Sequence, residues 1–390
     1  MSSILEDMLK NRGRKKSSWF ETTFGFEEYK EGNAMQKVRD QFEFDASSNT
    51  MKSKANGREF RVGEFTIPSL LELRARLNVL EGGKKRDEDL MSVASIAGDV
   101  RTLILDSANE GAVFQAASQF NTLEMINPNV SPEDGIENYI ADRTQGPACA
   151  MACPSGTLFR NYFASFPEIT GFTGLGQTSQ RSIDTSKDTL EVFKRAINAD
   201  KVAVMSKNGY LLPTSETSLA QLSQGLQSLE DPTREEVLEA ARCSLRQGVM
   251  WSTETQAGHE VTQVYCSACP VSYDKVTNVN ASKLLLGMDR PVPLRDLWRP
   301  LAIPVLESAY ESTILVAGIL ALQAGTRKTL YLTKLGGGVF GNSDAWIVRA
   351  IEKATKMYSH LPLDVRVVHY GSAPETDRYS SLNKKAKEKK

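Results

Sequence analysis

The sequence predicts an α/β sandwich built on a mixed sheet. Runs rich in β-branched and aromatic residues, such as KTLYLTKL and DVRVVHYG, alternate with helical patterns through most of the chain. An Asn208-Gly209 pair joins two such runs as a hairpin, and a glycine-rich loop stands directly between a strand and a helix near the C-terminus. The length of 390 residues leaves room for a large core or two domains. With 47 Lys plus Arg against 48 Asp plus Glu, the net charge of -1 argues against a protein that coats nucleic acid.

Residues 1–57 read as a polar arm. It carries a basic cluster (Arg12, Arg14, Lys15, Lys16) and aromatics (Trp19, Phe20, Phe24, Phe26, Tyr29) that are expected to pack part of it on the body. Residues 58–372 read as the main domain and 373–390 as a basic disordered tail. The GRKK run and the KKAKEKK tail admit a nuclear-localisation reading, outweighed by that of solvated charge. REFRVGEFTI is expected to form a short hairpin. Ser69 then opens a helix with Glu72 in capping-box spacing, Leu70, Leu73, Leu77 and Leu80 on one face, and Gly82-Gly83 as its stop. RTLILD and GAVFQAAS are expected as a strand pair across the turn SANEG, and KVAVMSKNGYLLP is the clearest hairpin. Asp231-Pro232 begins a helix with Val237, Leu238, Ala241 and Leu245 inward, ended by Gly248. HEVTQVYCSACPVSY reads as a strand region, followed by a buried helix near Ser312–Gln323, the strand KTLYLTKL, the glycine loop, a helix over Ser343–Tyr358 and the strand DVRVVHYG.

Five cysteines, an odd number, argue against a disulfide scaffold and for a reducing compartment, cytoplasm or nucleus. The segment MSSILEDMLKNRGRKKSS lacks the order of a secretory signal. The apolar run Ile314 to Leu322 falls short of the roughly 20 residues that span a bilayer, so no membrane association is expected.

The segment Leu335 to Asn342, LGGGVFGN, carries the strongest functional signal. Adjacent glycines let the backbone approach a ligand, and the following helix offers free N–H groups and a positive dipole end. Binding of a phosphate or diphosphate follows, since three glycines, an aromatic and a further glycine exceed what a plain turn needs. Gly336, Gly338 and Gly341 formally satisfy G-x-G-x-x-G, but one strand remains after them where a dinucleotide fold needs several, and Asp364 precedes that strand. No Walker A loop is present.

A second signal follows GAVFQAAS. Polar residues (Gln115, Ser118, Gln119, Asn121) close the strand, and a loop brings Glu124, Glu133, Asp134, Glu137 and Asp142 before Gln145-Gly146-Pro147. Carboxylates and amides at a strand end can hold ribose hydroxyls and position a water, as glycosidic hydrolysis requires. A solvated acidic loop is the competing reading, stronger for Glu133, Asp134 and Glu137 than for Glu124 and Asp142.

Together, the strand-LGGGVFGN-helix unit, VFQAASQFNTLEM and DRTQGPA resemble macrodomains of the poly(ADP-ribose) glycohydrolase kind, and more specifically the MavL-type macrodomain ADP-ribosyl hydrolases of Legionella. The resemblance covers about residues 58–372 and implies a three-layer α/β/α macrodomain with mixed sheet and N-terminal additions. It implies removal of mono-ADP-ribose from protein side chains, most specifically arginine of ubiquitin, by a monomer that needs no cofactor or metal. Gln119, Phe120 and Asn121 would then line the ribose and adenosine region, with Gln145 and Gly146 near them. Gly336, Gly337, Gly338, Val339, Phe340, Gly341 and Asn342 would cradle the diphosphate. Glu124 and Asp142 would face the distal ribose, with Asp134 or Glu133 as a third carboxylate. The adjacent glutamate pair of the chain-degrading glycohydrolases is missing, which favours single ADP-ribose units. Two other classes share parts of this pattern: a reader that binds ADP-ribose without cleaving it, and a dinucleotide-dependent oxidoreductase.

Cys266 and Cys269 have C-x-x-C spacing, but no second pair matches, and His259, His360 and His369 are the available imidazoles, so a buried strand is favoured over a zinc site. The polar loop Gly171 to Asp184 reads equally as a closing lid or a surface connection. Tyr370, at the end of the last strand, reads as packing rather than ligand contact.

Overall fold

Seven strands form the central sheet of the computed structural model, which describes residues 18–83, 89–200, 203–215, 217–272 and 294–372. In chain order the helices are α1 (Trp19–Phe24), α2 (Ala34–Asp40), α3 (Leu70–Glu81), α4 (Val100–Leu105), α5 (Gln145–Ala152), α6 (Pro154–Tyr162), α7 (Pro167–Thr170), α8 (Lys187–Ala196), α9 (Ser218–Gln227), α10 (Asp231–Ser244), α11 (Leu294–Ala324) and α12 (Asp344–Met357). The strands are β1 (Phe42–Asp45), β2 (Thr50–Ser53), β3 (Glu59–Arg61), β4 (Glu64–Thr66), β5 (Ser92–Ala97), β6 (Val113–Ala117), β7 (Val204–Lys207), β8 (Tyr210–Pro213), β9 (Gly248–Glu254), β10 (Glu260–Cys266), β11 (Lys328–Leu332) and β12 (Leu363–His369).

The large sheet has the order β4-β9-β10-β6-β11-β12-β5. The β4–β9 and β9–β10 pairs are antiparallel and the rest parallel, so the sheet is mixed. Alternation along each strand sends side chains to opposite layers. Val113, Leu330, Leu332, Val365 and Val367 meet α3, α11 and α12 on one face. Phe114, Ala116, Tyr265 and Tyr331 meet α1, α4, α5 and α6 on the other. Phe114 and Tyr331 stack across neighbouring strands at 4.6 Å. The result is the expected three-layer α/β/α sandwich. A third apolar cluster gathers α8, α9, α10 and the β7–β8 hairpin against the start of α11.

Several local expectations hold. Ser69 Oγ accepts the Glu72 N–H at 3.2 Å while the Glu72 carboxylate accepts the Ser69 N–H at 2.7 Å, a complete capping box. Asn208 and Gly209 take φ of 48° and 81°, the positive pair that closes β7 onto β8. Other expectations fail for identifiable reasons. RTLILD is helical, not a strand, because Asp99 Oδ1 accepts the N–H groups of Arg101 and Thr102 and nucleates α4. The 58–67 hairpin does not form: β3 joins β2 in a three-stranded sheet with β1, whereas β4 joins β9. Gly63 makes that divergence possible, since at its φ of 82° a Cβ would lie 2.2 Å from the Trp251 carbonyl oxygen. The small sheet also runs across residue 57, where the sequence placed the end of the arm. Leu80, expected to share the inward face of its helix, is exposed. The helix around Ser312 is far longer than its apolar run and passes through Pro300 and Pro304. Over Arg295–Ala324 it is long and apolar enough to cross a membrane, and its most apolar stretch is 89% buried within the protein. The GRKK run and the 373–390 tail lie outside the described residues.

The buried helix carries charge inside the fold. Glu311, 1% exposed, accepts from Arg74 Nε (2.6 Å), Arg242 Nη1 (2.9 Å) and Tyr358 Oη (2.7 Å), which ties α3, α10 and α12 to α11.

Candidate functional site

The sheet itself creates the cleft. β6 stays in register with β10 through Ala117, but its pairing with β11 stops at Phe114–Tyr331. Beyond that point side-chain amides take over the open strand edge. Gln145 Oε1 accepts the Ala117 N–H (2.7 Å), its Nε2 donates to the Gln115 carbonyl (2.8 Å), and Gln115 Oε1 accepts the Thr333 N–H (3.3 Å). A crevice at the carboxyl ends of diverging parallel strands is where open α/β sheets bind ligands. Here it has a volume of about 840 Å³.

The glycine loop forms one wall. Gly336 has φ of 67°, and a Cβ on it would lie 2.5 Å from Ala268 Cβ, so no other residue fits. Asn342 closes the loop, donating its N–H to the Gly336 carbonyl (3.0 Å) and its amide to the Cys269 carbonyl (2.8 Å). The N–H groups of Gly336, Gly338 and Val339 have no hydrogen-bond partner among the described residues, and all three residues line the cleft. A second wall is the start of α5. Gly146 lets it approach β6, since a Cβ there would sit 2.1 Å from the Ala117 carbonyl oxygen. The N–H groups of Gln145 and Gly146 are likewise without partners among the described residues, as expected for a first helical turn. Two sets of unpaired donors on residues that line one cavity suit an extended anion.

Two of the carboxylates expected from the sequence reach the same cavity. Asp142, half-buried, precedes α5, and its Oδ1 accepts the Thr144 N–H at 2.8 Å. Glu124 lies deeper, 2% exposed, with Arg160 Nη2 donating to both its oxygens at 3.0 and 3.1 Å. Arg160 is itself fully buried; its Nε donates to the Thr122 carbonyl (2.8 Å) and its guanidinium sits 3.5 Å from the Tyr265 ring centroid. Burial pushes the Glu124 carboxyl up to about 7, against the opposing pull of Arg160. Thr122, a β-branched residue at φ of 63°, turns the chain so that both its carbonyl and Glu124 face that guanidinium.

Replacing Arg160 with Met strands a buried carboxylate, and a loss of about 3–5 kcal/mol is expected in urea unfolding. Without its partner Glu124 takes a proton more readily still, so the raised folded-state value makes the variant lose stability as pH rises. The deficit should be larger at pH 8 than at pH 5, and a pH-independent deficit would show that the carboxyl is not held as an anion by Arg160.

The residues expected from the sequence divide clearly. Gln119, Glu124, Asp142, Gln145, Gly146, Gly336, Gly338, Val339 and Phe340 line the cleft. Phe120 does not: it packs into the third apolar cluster, 1% exposed. Asn121 is fully buried, its Oδ1 accepting the Leu123 N–H. Asp134 is exposed outside the cleft and caps its own turn at Ser131, while Glu133 holds the Ser179 N–H and hydroxyl. Gly337, Gly341 and Asn342 bond within the loop or behind it and serve its shape. Residues 171–184 line none of the cleft. Cys266 and Cys269 point into separate apolar clusters.

The cleft also holds residues that the sequence reading did not select. Asp99, just after β5, caps the helix over RTLIL, and the strand expected there gives it no such role. Tyr210, from the hairpin, meets Phe340 at 5.8 Å between ring centroids and donates to the Met125 carbonyl at 2.6 Å. Tyr370, 87% exposed, stands in the cleft wall rather than packing. Arg160 carried no signal, because nothing local marks a buried arginine within PSGTLFRNY.

Fold and cleft define an α/β protein with a crevice, lined by unpaired backbone donors, at the carboxyl ends of its parallel strands. No family model and no curated protein matches the chain. Among solved structures it is similar to the poly(ADP-ribose) glycohydrolase of Thermomonospora curvata, with a TM-score of 0.37 and 11% identity over 90% of this chain and 96% of that one. It is similar also to the poly(ADP-ribose) glycohydrolase of Deinococcus radiodurans in complex with ADP-ribose, with a TM-score of 0.37 and 10% identity over 83% of this chain and 94% of that one. The Thermomonospora curvata glycohydrolase bound to the inhibitor ADP-HPD matches with a TM-score of 0.33 and 12% identity over 90% and 97%.

Proposed function

We propose that the cleft binds ADP-ribose and that the protein is a glycosidase-type ADP-ribosyl hydrolase, releasing mono-ADP-ribose from modified protein side chains. One observation carries the reading: unpaired backbone donors of the glycine loop (Gly336, Gly338, Val339) and of the α5 start (Gln145, Gly146) share a cavity with two carboxylates, Asp142 and Glu124. The donors would receive the diphosphate without any basic surplus. In the proposed step a water attacks the anomeric carbon of the distal ribose while Asp142 accepts its proton through the oxygen not bonded to Thr144; the C–N bond breaks with its electron pair passing to the guanidinium nitrogen, and the neutral guanidine so released takes that proton back from Asp142. Glu124, fixed by Arg160, would hold ribose hydroxyls with its remaining lone pairs. Arginine-linked ADP-ribose, with ubiquitin as the carrier, is the substrate that the resemblance of VFQAASQFNTLEM, DRTQGPA and LGGGVFGN supports.

The test is incubation with arginine-ADP-ribosylated ubiquitin and, separately, with a poly(ADP-ribose)-modified protein, with calorimetry against free ADP-ribose alongside. Release of ADP-ribose from the first substrate supports the full reading, and release from the second alone moves the activity to polymer. Tight binding without release from either makes the protein a reader. Absence of ADP-ribose binding overturns the reading altogether.

A further inference from the structure

We infer that the N-terminal segment is a working part of the site and that Glu28 is a positioning residue for the loop carrying Asp142. Glu28 lies between α1 and α2, far from the cleft in sequence, yet it is 6% exposed and its carboxylate accepts three hydrogen bonds from elsewhere in the chain. Oε1 accepts the Ile136 N–H (2.9 Å) and the Tyr162 hydroxyl (2.6 Å), and Oε2 accepts the Glu137 N–H (2.8 Å). Gly135 permits the approach, since a Cβ there would lie 2.4 Å from Oε2. A carboxylate in a nest of consecutive backbone donors is held strongly and holds them in turn.

What it holds is the start of a 3₁₀ turn, Glu137–Ala141, that leads directly into Asp142. That turn bonds the backbone of both residues that bear the candidate carboxylates. The Asp142 N–H donates to the Tyr139 carbonyl at 3.2 Å, and the Tyr139 hydroxyl accepts the Glu124 N–H at 3.1 Å. Two further contacts from the same N-terminal segment grip its first residue: Trp19 Nε1 donates to the Glu137 carbonyl (2.9 Å) and Lys30 pairs with the Glu137 carboxylate (2.5 Å). Helix α6 completes the frame from behind. Its successive residues Arg160, Asn161 and Tyr162 bond Glu124, the Pro132 carbonyl and Glu28. Removing the Glu28 charge therefore releases the turn at the end remote from the ligand, and Asp142 loses its fixed position while the phosphate-binding loop, on the far strand, is untouched.

This inference rests on the proposed function for its catalytic readout, so the experiment carries a second readout that does not. In Glu28→Gln the side-chain oxygen can still meet Ile136 and Tyr162, but an amide NH₂ then faces the Glu137 N–H. Turnover of arginine-ADP-ribosylated ubiquitin should fall about tenfold or more, with affinity for free ADP-ribose unchanged. Hydrogen exchange of amides 136–142 should accelerate relative to wild type, whether or not any turnover exists. Tyr162→Phe, which deletes one bond and keeps the charge, should show the same pattern in weaker form and serves if Glu28→Gln does not fold. Wild-type exchange at 136–142 in both variants overturns the inference, as does accelerated exchange with wild-type turnover. A wild-type protein that neither binds nor releases ADP-ribose overturns the proposed function instead, and the exchange result then decides on Glu28 alone.

Discussion

Asp142→Asn is expected to lower turnover of arginine-ADP-ribosylated ubiquitin by about 10²–10⁴-fold, the range associated with a positioned general base. Affinity for free ADP-ribose should stay within about twofold, because only a transition-state interaction is removed. Asparagine is the informative replacement. Its Oδ1 can keep the 2.8 Å bond from the Thr144 N–H that shapes the entry to α5, so the cleft wall remains in place while the basic oxygen is lost. Asp134→Asn is the matched control. That carboxylate belongs to the same acidic loop but is exposed outside the cleft and, among the described residues, bonds only Ser131, so wild-type turnover is expected. Equal losses in both variants would mean that the loop, not a particular carboxylate, matters. Wild-type turnover in Asp142→Asn would move the proton-accepting role to Glu124, whose carboxyl burial already holds near neutrality.

The contrast between those two aspartates shows where sequence reasoning stops. Features set by neighbours in the chain were legible: the Ser69–Glu72 capping box, the Asn208-Gly209 turn and the strand-glycine loop-helix unit each need only a few consecutive residues. Composition misled where a single cap outweighed it. The apolar RTLIL run has the make-up of a strand, yet the Asp99 carboxylate bonding two N–H groups makes it helical. The pairings that assemble the site are distant in sequence and leave no periodic trace. Glu124 meets Arg160 across 36 positions, and Glu28 meets Ile136 across 108. The acidic residues inside α11 are similar. Glu311 looks like a surface residue until Arg74 and Arg242 from two other helices close on it. The sequence could thus supply the glycine-loop donors of the proposed phosphate site, which are backbone groups of consecutive residues, but not the choice among five nearby carboxylates, which depends on what each one bonds.

Gly338→Glu tests that backbone site directly, and its expected effect is the loss of ADP-ribose binding with the fold intact. Unlike Gly336 and Gly341, Gly338 does not occupy the positive-φ region, and a Cβ on it meets no atom within 4 Å. The substitution is therefore sterically permitted, and thermal unfolding should be close to wild type. The new carboxylate, however, enters the cavity beside the unpaired Gly336 and Val339 N–H groups, where it competes for the donors and repels the ligand. Two unit charges about 4 Å apart interact by about 4 kcal/mol at an effective dielectric constant of about 20, so affinity should fall by roughly 10²–10³-fold. Gly338→Ala separates charge from bulk and is expected to bind nearly as wild type. Gly336→Ala gives the opposite pattern: its Cβ would lie 2.5 Å from Ala268 Cβ and 2.6 Å from Asn342 Nδ2, so the loop must open and stability should fall along with binding. Wild-type affinity in Gly338→Glu would place the phosphates elsewhere, with the start of α5 at Gln145 and Gly146 as the remaining set of unpaired donors in the cleft.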